Sequence, residues 1–255
     1  MTDSFRSIDN QPQDRPAAPV CYGVDGCRGG WVCVRPAENR LSFSIHSRFL
    51  DVIKMVSSDA RLFVDIPIGL QDKRSPDRAC DREARRLLRP KRSASVFNAP
   101  IRDILYEASH HQASIKSKRL IGKGISRQTY NIMNKIIEVD EAIRSGKTQG
   151  LHIKEAHPEL CFYGLNKLQP MQYNKRTQEG YQQRIALLAK FIPEVQRQLE
   201  ETLETYPRRL VARDDMVDAT VIMLAATMHQ HCMRIPERPV LDTAGIAMEI
   251  LFPVA

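Results

Sequence analysis

Residues 20–35 read VCYGVDGCRGGWVCVR. Val20–Asp25 alternates apolar and small residues, DGCRGG (25–30) supplies turn residues, and Trp31–Arg35 resumes an apolar, β-rich run. The reading is strand, tight connection, strand. Working outward, Leu41, Phe43 and Ile45 alternate with Ser42, Ser44 and His46, which predicts a third strand with one wet face. A short amphipathic segment (Val52, Ile53, Val56) leads to the apolar strand Leu62–Ile66, stopped by Pro67 and Gly69.

The period then changes. Ser75-Pro76 reads as an N-cap with proline at the first helical position. Cys80, Ala84, Leu87 and Leu88 follow as a stripe at helical spacing, with Arg78, Arg82, Arg85, Arg86 and Arg89 around it. Ser126 caps a second helix (Tyr130, Met133, Ile137) that ends near Gly146. Leu151–His157 reads as a strand, 178–205 as helix broken at Pro193, Arg209–Ala212 as a short strand, Asp214–Met228 as a buried helix and Ile246–Leu251 as a final strand. The expected fold class is α/β: a mixed sheet with flanking helices and a helical insertion or cap at about 73–150, forming a single domain over residues 20–255. Residues 1–19, acidic, polar and Pro-containing, read as a disordered tail without a secretory signal.

Composition narrows the function classes. The chain has 255 residues, 42% of them hydrophobic and 27% charged. A domain of that length buries about three quarters of its unfolded surface, so neither disulfides nor a structural metal is needed for a core. No run reaches the ~18 apolar residues of a membrane span. The six cysteines contain no CxxC pair and fit reduced thiols in a cytoplasmic protein. His229, His231 and Cys232 match no common zinc spacing. The net charge of +8 is one block: residues 73–154 carry +11 and the remainder −3. A localised excess of this kind points to an anionic partner, nucleic acid first.

Carboxylates stand where elements end. Asp25 closes the first strand before the Gly-rich turn, and Asp65 ends VDIPIGL's strand. Glu155, His157 and Glu159 alternate with Ala156 and Pro158 at the end of the Leu151–His157 strand, and Asp214, Asp215 and Asp218 open the last large helix. Each has an ordinary structural reading: Asp25 as a turn residue, Asp65 as a turn cap, Asp214 as an N-cap, Glu155 or Glu159 as partners of the basic block. Asp218 is the exception, because MVDATVIMLAA is an apolar helix in which an unpaired carboxylate is costly. A cation or a bound metal must compensate it. Carboxylates gathered at one sheet edge repel unless divalent cations bridge them, and Mg²⁺ or Mn²⁺ prefers such oxygen ligands. Two ions ~3.5–4 Å apart suit phosphodiester hydrolysis, with the basic block holding the polyanion.

The strings GVDGCRGGWV (23–32), VDIPIGL (64–70), RACDREAR (78–85), SVFNAP (95–100), EAHPELCF (155–162), NKRTQEGYQQR (174–184) and RDDMVDA (213–219) together resemble the family called domain of unknown function 429. The match runs in order from about residue 20 to about 253. The resemblance implies an RNase H-like core, with an antiparallel three-strand unit, parallel strands after it and flanking helices, and it implies a metal-dependent nuclease. By position it assigns metal binding and catalysis to Asp25, to Asp65 or Glu155, and to Asp218, with Asp215 a further metal ligand. Substrate contacts are expected from Arg28, Arg78, Arg82, Arg85, His157, Lys175 and Arg184, with His157 as a proton shuttle. Asp81 is expected to pair with Arg85, and Trp31 to sit in the core. The function expected is therefore a two-metal phosphodiester hydrolase acting on DNA or RNA. The alternatives are a nucleotide- or phosphometabolite-handling enzyme on a related fold, or a non-catalytic nucleic-acid-binding module.

Overall fold

A computed structural model of the chain describes residues 18–74 and 77–255. Most of the N-terminal tail reading and the Ser75-Pro76 helix start fall outside those residues. The opening stretch forms an antiparallel meander: β1 (Cys21–Cys27), β2 (Gly30–Ala37) and β3 (Arg40–His46), with Asp25 opposite Val32 and Val32 opposite Ile45. After α1 (Phe49–Met55), β4 (Arg61–Val64) pairs parallel to β1, and much later β5 (His152–Glu155) pairs parallel to β4. The five strands lie in the order β3-β2-β1-β4-β5. The expected mixed α/β sheet is present.

Between β4 and β5 run α2 (Ala79–Leu87), α3 (His110–Ile121), α4 (Arg127–Asn131) and α5 (Met133–Arg144), which fill the helix-rich stretch read over about 73–150. Ser126 caps α4 as expected, its side chain accepting the Thr129 N–H. After β5 come α6 (Pro158–Leu165), α7 (Gln178–Leu188), α8 (Val195–Thr205) and α9 (Arg213–Thr227). A hairpin of β6 (Cys232–Leu241) and β7 (Ala247–Pro253) then forms a separate two-stranded sheet, tied to the first through an Ala156–Leu251 bridge. Among the described residues no helix is long and apolar enough to cross a membrane.

Both faces of the large sheet are covered, so the strands bury alternate residues on opposite sides. Trp31 and Cys33 of β2, Tyr22 and Val24 of β1, and Leu62 and Val64 of β4 pack on the α1 and α5 side. Trp31 is fully buried, as expected, and its indole N–H donates to Glu138 at 3.0 Å. Val32, Val34 and Phe63 face α9, whose residues from Met216 to Ala226 are all buried. Gly23 sets that contact. A Cβ there would stand 2.1 Å from the Ala219 carbonyl oxygen and 2.3 Å from the Met223 nitrogen. Only a residue without a side chain lets the α9 backbone come so close to β1.

Several local expectations change. Leu151–His157 stops as a strand at Glu155, because Pro158 opens α6 with its fixed φ. Arg209–Ala212 is not a strand: its backbone is spent on the β1–β2 turn, with the Gly29 N–H donating to the Leu210 carbonyl at 2.7 Å. Asp214 is not the N-cap of α9. That position is Ala212, whose N–H donates to Asp215 at 2.9 Å. Asp81 pairs with Arg78 and not with Arg85. The helix 178–205 does break around Pro193.

Candidate active-site cleft

Asp25 lies two residues beyond Gly23 and so faces α9. Asp65 follows β4 by one residue and stays in the ladder, its N–H donating to the Val24 carbonyl at 2.9 Å. Because β1 and β4 are parallel neighbours, both carboxylates leave the sheet at the same end. The next parallel strand, β5, ends there in Glu155, and the first turns of α9 carry Asp215 and Asp218 over the same edge. Asp25, Asp65, Glu155, Asp215 and Asp218 line one cavity of about 620 Å³, shared with His157, Glu159 and Lys175.

The carboxylates differ in what neutralises them. Asp218 is 2% exposed, and the Lys175 ammonium lies 2.5 Å from its Oδ2 and 3.6 Å from Asp214 Oδ2. This is the compensating cation that the apolar helix requires. Burial works against the Lys175 charge, but Asp218, Asp25 and Asp214 outweigh it and raise its pKa. Asp25 and Asp65 make no ion pair among the described residues. Among the described residues Asp25 accepts only from the N–H of Gly26, at 2.6 Å. Burial, then the charges of Asp65 and Asp218, hold the Asp25 carboxyl well above its usual range. Burial and Asp218 push Asp65 up to about 7. Burial also raises Asp215, against the pull of its Ala212 hydrogen bond.

Glu155 stands apart. Its Oε2 lies 2.6 Å from Arg78 Nη2 and accepts the Ile68 N–H at 2.6 Å, and Arg78 also reaches Asp81 at 2.8 Å and the Ile68 carbonyl at 2.8 Å. Of the two candidates for the middle acid, Asp65 is the one with a free carboxylate. The same network corrects the reading of Arg78, which is 4% exposed and clamps the end of β5 to α2 and the VDIPIGL turn. Arg184 is likewise not placed to meet a substrate: it is 1% exposed, 2.5 Å from Glu159, and packed over Phe162. Both guanidiniums are spent on buried carboxylates, which would otherwise lie in a dry interior without a partner.

The remaining expected contacts divide. His157 lines the cleft. Burial lowers its pKa, its Nε2 lies 3.4 Å from the Ser95 carbonyl, and its buried Nδ1 has no partner among the described residues. Arg82 and Arg85 line a neighbouring cavity of about 370 Å³, which shares Asp81, Val96 and Phe97 with the acid cleft. Arg28 is exposed on the β1–β2 turn and lines neither cavity.

Besides Lys175, the cations on the cleft are Lys91, Arg92 and Lys135 from the basic block, and Arg176 beyond it. Lys91, Arg92 and Arg176 flank or belong to strings that already carried the family resemblance. Lys135 had no such signal, since a lysine on an amphipathic helix reads as solvated. It lies over Gly26 and the Trp31 ring, donates to the Gly30 carbonyl, and is lowered in pKa by burial.

The donor chemistry suits a hard cation, because Asp25 and Asp65 offer carboxylate oxygens left without a cation of their own. Among the described residues, however, no three or more His, Cys, Asp or Glu residues form a ready metal cage. Two carboxylates completed by water and substrate phosphate are a usual way for Mg²⁺ to be held.

Comparison with known proteins gives one match. The pattern of the family described as "Protein of unknown function (DUF429)" fits residues 23–240, and the chain belongs to that family. No curated protein and no solved structure matches it.

Proposed function

We propose that this DUF429 protein is a divalent-metal-dependent phosphodiester hydrolase acting on nucleic acid. The observation that carries the reading is the pair Asp25 and Asp65. They are unpaired acids at the ends of adjacent parallel strands, on a cleft that Lys91, Arg92, Lys135 and Arg176 also line. Acid floor and basic surroundings suit a polyanion whose reactive phosphate must reach a cation. The sheet order, an antiparallel meander followed by parallel strands, supports an RNase H-like kinship. Six free cysteines, five of them buried, support a reducing, cytoplasmic setting.

In this reading Asp25 and Asp65 hold Mg²⁺ or Mn²⁺, which when bound polarises the phosphoryl oxygen and makes a water a better nucleophile. The chain's own residues do the rest. Lys175 offsets the charge of Asp218, so that the acid cluster repels a phosphate less. Arg176 and Lys91 attract the backbone. His157 lines the cleft with its buried Nδ1 unpartnered among the described residues, which suits it to accept a proton.

The test uses labelled single-stranded, duplex and branched DNA and RNA at low salt with Mg²⁺ or Mn²⁺. Wild type cleaves at least one substrate, and Asp25→Asn and Asp65→Asn do not. Failure of wild type on every substrate, or variants that cleave equally well, ends the proposal. Binding without cleavage would leave a nucleic-acid-binding module.

A further inference from the structure

We infer that Lys175 takes the place of one of the two expected divalent ions, so that the cleft holds a single Mg²⁺ or Mn²⁺ on Asp25 and Asp65. The inference rests on the function proposed above and sharpens it. The acids of α9 have a resident cation: Lys175 Nζ is 2.5 Å from Asp218 and 3.6 Å from Asp214. Among the described residues Asp25 and Asp65 have none, while Glu155 is held by Arg78.

The ammonium is also held in place. Lys175 sits just before α7, whose start is capped by Thr177 accepting the Gly180 N–H at 3.1 Å. A Cβ on Gly180 would stand 1.8 Å from the Asn174 carbonyl oxygen, so loop and helix are in close backbone contact. A divalent ion bridging to Asp218 has to displace this ammonium from a carboxylate whose side chain is only 3% exposed. Displacement strips a part-buried, hydrogen-bonded ion pair from a buried carboxylate and moves the lysine toward solvent, which opposes the gain from the second ion. The lysine keeps part of that ion's role. It is a compact positive charge with three N–H donors beside the place where the phosphate would lie. It also occupies Asp218, leaving Asp25 and Asp65 as the carboxylates without a cation of their own.

The test is metal stoichiometry on the full chain, read by calorimetric titration with Mn²⁺ and by the electron paramagnetic resonance signal of free Mn²⁺. Wild type binds one ion per chain, and Lys175→Met binds two, because Asp218 is released. Asp218→Asn still binds one and Asp65→Asn none, so the inference stays testable even if Lys175→Met does not fold. Two ions on wild type overturn the inference and leave the proposed function standing. One ion on a folded Lys175→Met, or loss of the ion in Asp218→Asn, also overturns it. Wild type that binds no Mn²⁺ removes the proposed function and this inference together.

Discussion

Arg78 and Glu155 form a buried ion pair, Nη2 to Oε2 at 2.6 Å, at the same sheet edge where Asp25 and Asp65 carry no cation. Neighbouring acids on one edge thus have opposite jobs. Glu155 holds the fold together through a guanidinium, while Asp65 stays free. Arg78→Met leaves Asp81 and Glu155 buried without their cation, which costs about 3–5 kcal/mol. At this chain length each kcal/mol lowers Tm by roughly 2–4 °C. The matching experiment is Mn²⁺ binding. Glu155→Gln binds the ion as wild type does and Asp65→Asn does not. Loss of the ion in Glu155→Gln with no fall in Tm would reverse the two roles.

The raised Asp65 carboxyl makes stability depend on pH. Its folded pKa of about 7 lies above the ordinary 3.8, so the folded state holds the proton more tightly. Stability from this group is present below the unfolded value and is lost as pH rises toward 7. Asp65→Asn removes the effect, so its Tm gains on wild type between pH 4 and pH 8. Mg²⁺ competes with the proton for the same oxygens and raises wild-type Tm more at pH 8 than at pH 5. Parallel Tm curves for the two proteins across this range would contradict the assignment.

Nucleic-acid binding should track the cations on the cleft and not the net charge. Lys91 and Arg176 are exposed and on the cleft, whereas Arg28 is exposed and off it. Lys91→Ala and Arg176→Ala each weaken binding and reduce the slope of log K against log salt by about 1. Arg28→Ala leaves that slope where it was. Fluorescence anisotropy across a salt series reads both, and equal slopes for all three variants would show that the cleft is not the contact surface.

Gly23 controls the register of α9 over β1. Gly23→Ala puts a methyl group into backbone that cannot yield cheaply, since the obstacles at 2.1 and 2.3 Å are the Ala219 oxygen and the Met223 nitrogen. Overpacking of this kind costs about 1–3 kcal/mol. Displacing α9 also moves Asp218 away from the sheet acids, so cleavage falls by more than the fraction unfolded. Thermal melts and activity on the same sample separate these effects. An unchanged Tm would mean that α9 sits less tightly than the distances require.

Legibility differed from element to element. The meander was readable because apolar alternation and the DGCRGG turn are local signals. β6 was not, since CMRIPERPVL carries Pro236 and Pro239 and its pairing is irregular between Ile235 and Val240. α3 escaped because its one apolar stripe is weak, with only Ala113 and Ser117 buried. At the site, Asp25, Asp65 and Asp218 were legible as acids where elements end or where a core helix makes them costly. Arg184 and Arg78 misled, because a sequence shows an arginine's charge and not the carboxylate waiting for it.

The chain's order of residues by itself determined the alternation that buries both sheet faces, the largely apolar α9 with its acids in the first turns, and the placement of acids at the ends of β1, β4 and β5. Those features follow from backbone period and side-chain hydrophobicity, which act over a few residues. Tertiary structure alone decided which acid is neutralised and by whom. Glu155 finds Arg78 across 77 residues and Asp218 finds Lys175 across 43. An ion pair depends on separations of a few ångströms and on exclusion from water, and both are set only when distant segments pack. The acid pocket was written in the local pattern, while the two carboxylates left open in it were chosen by the fold.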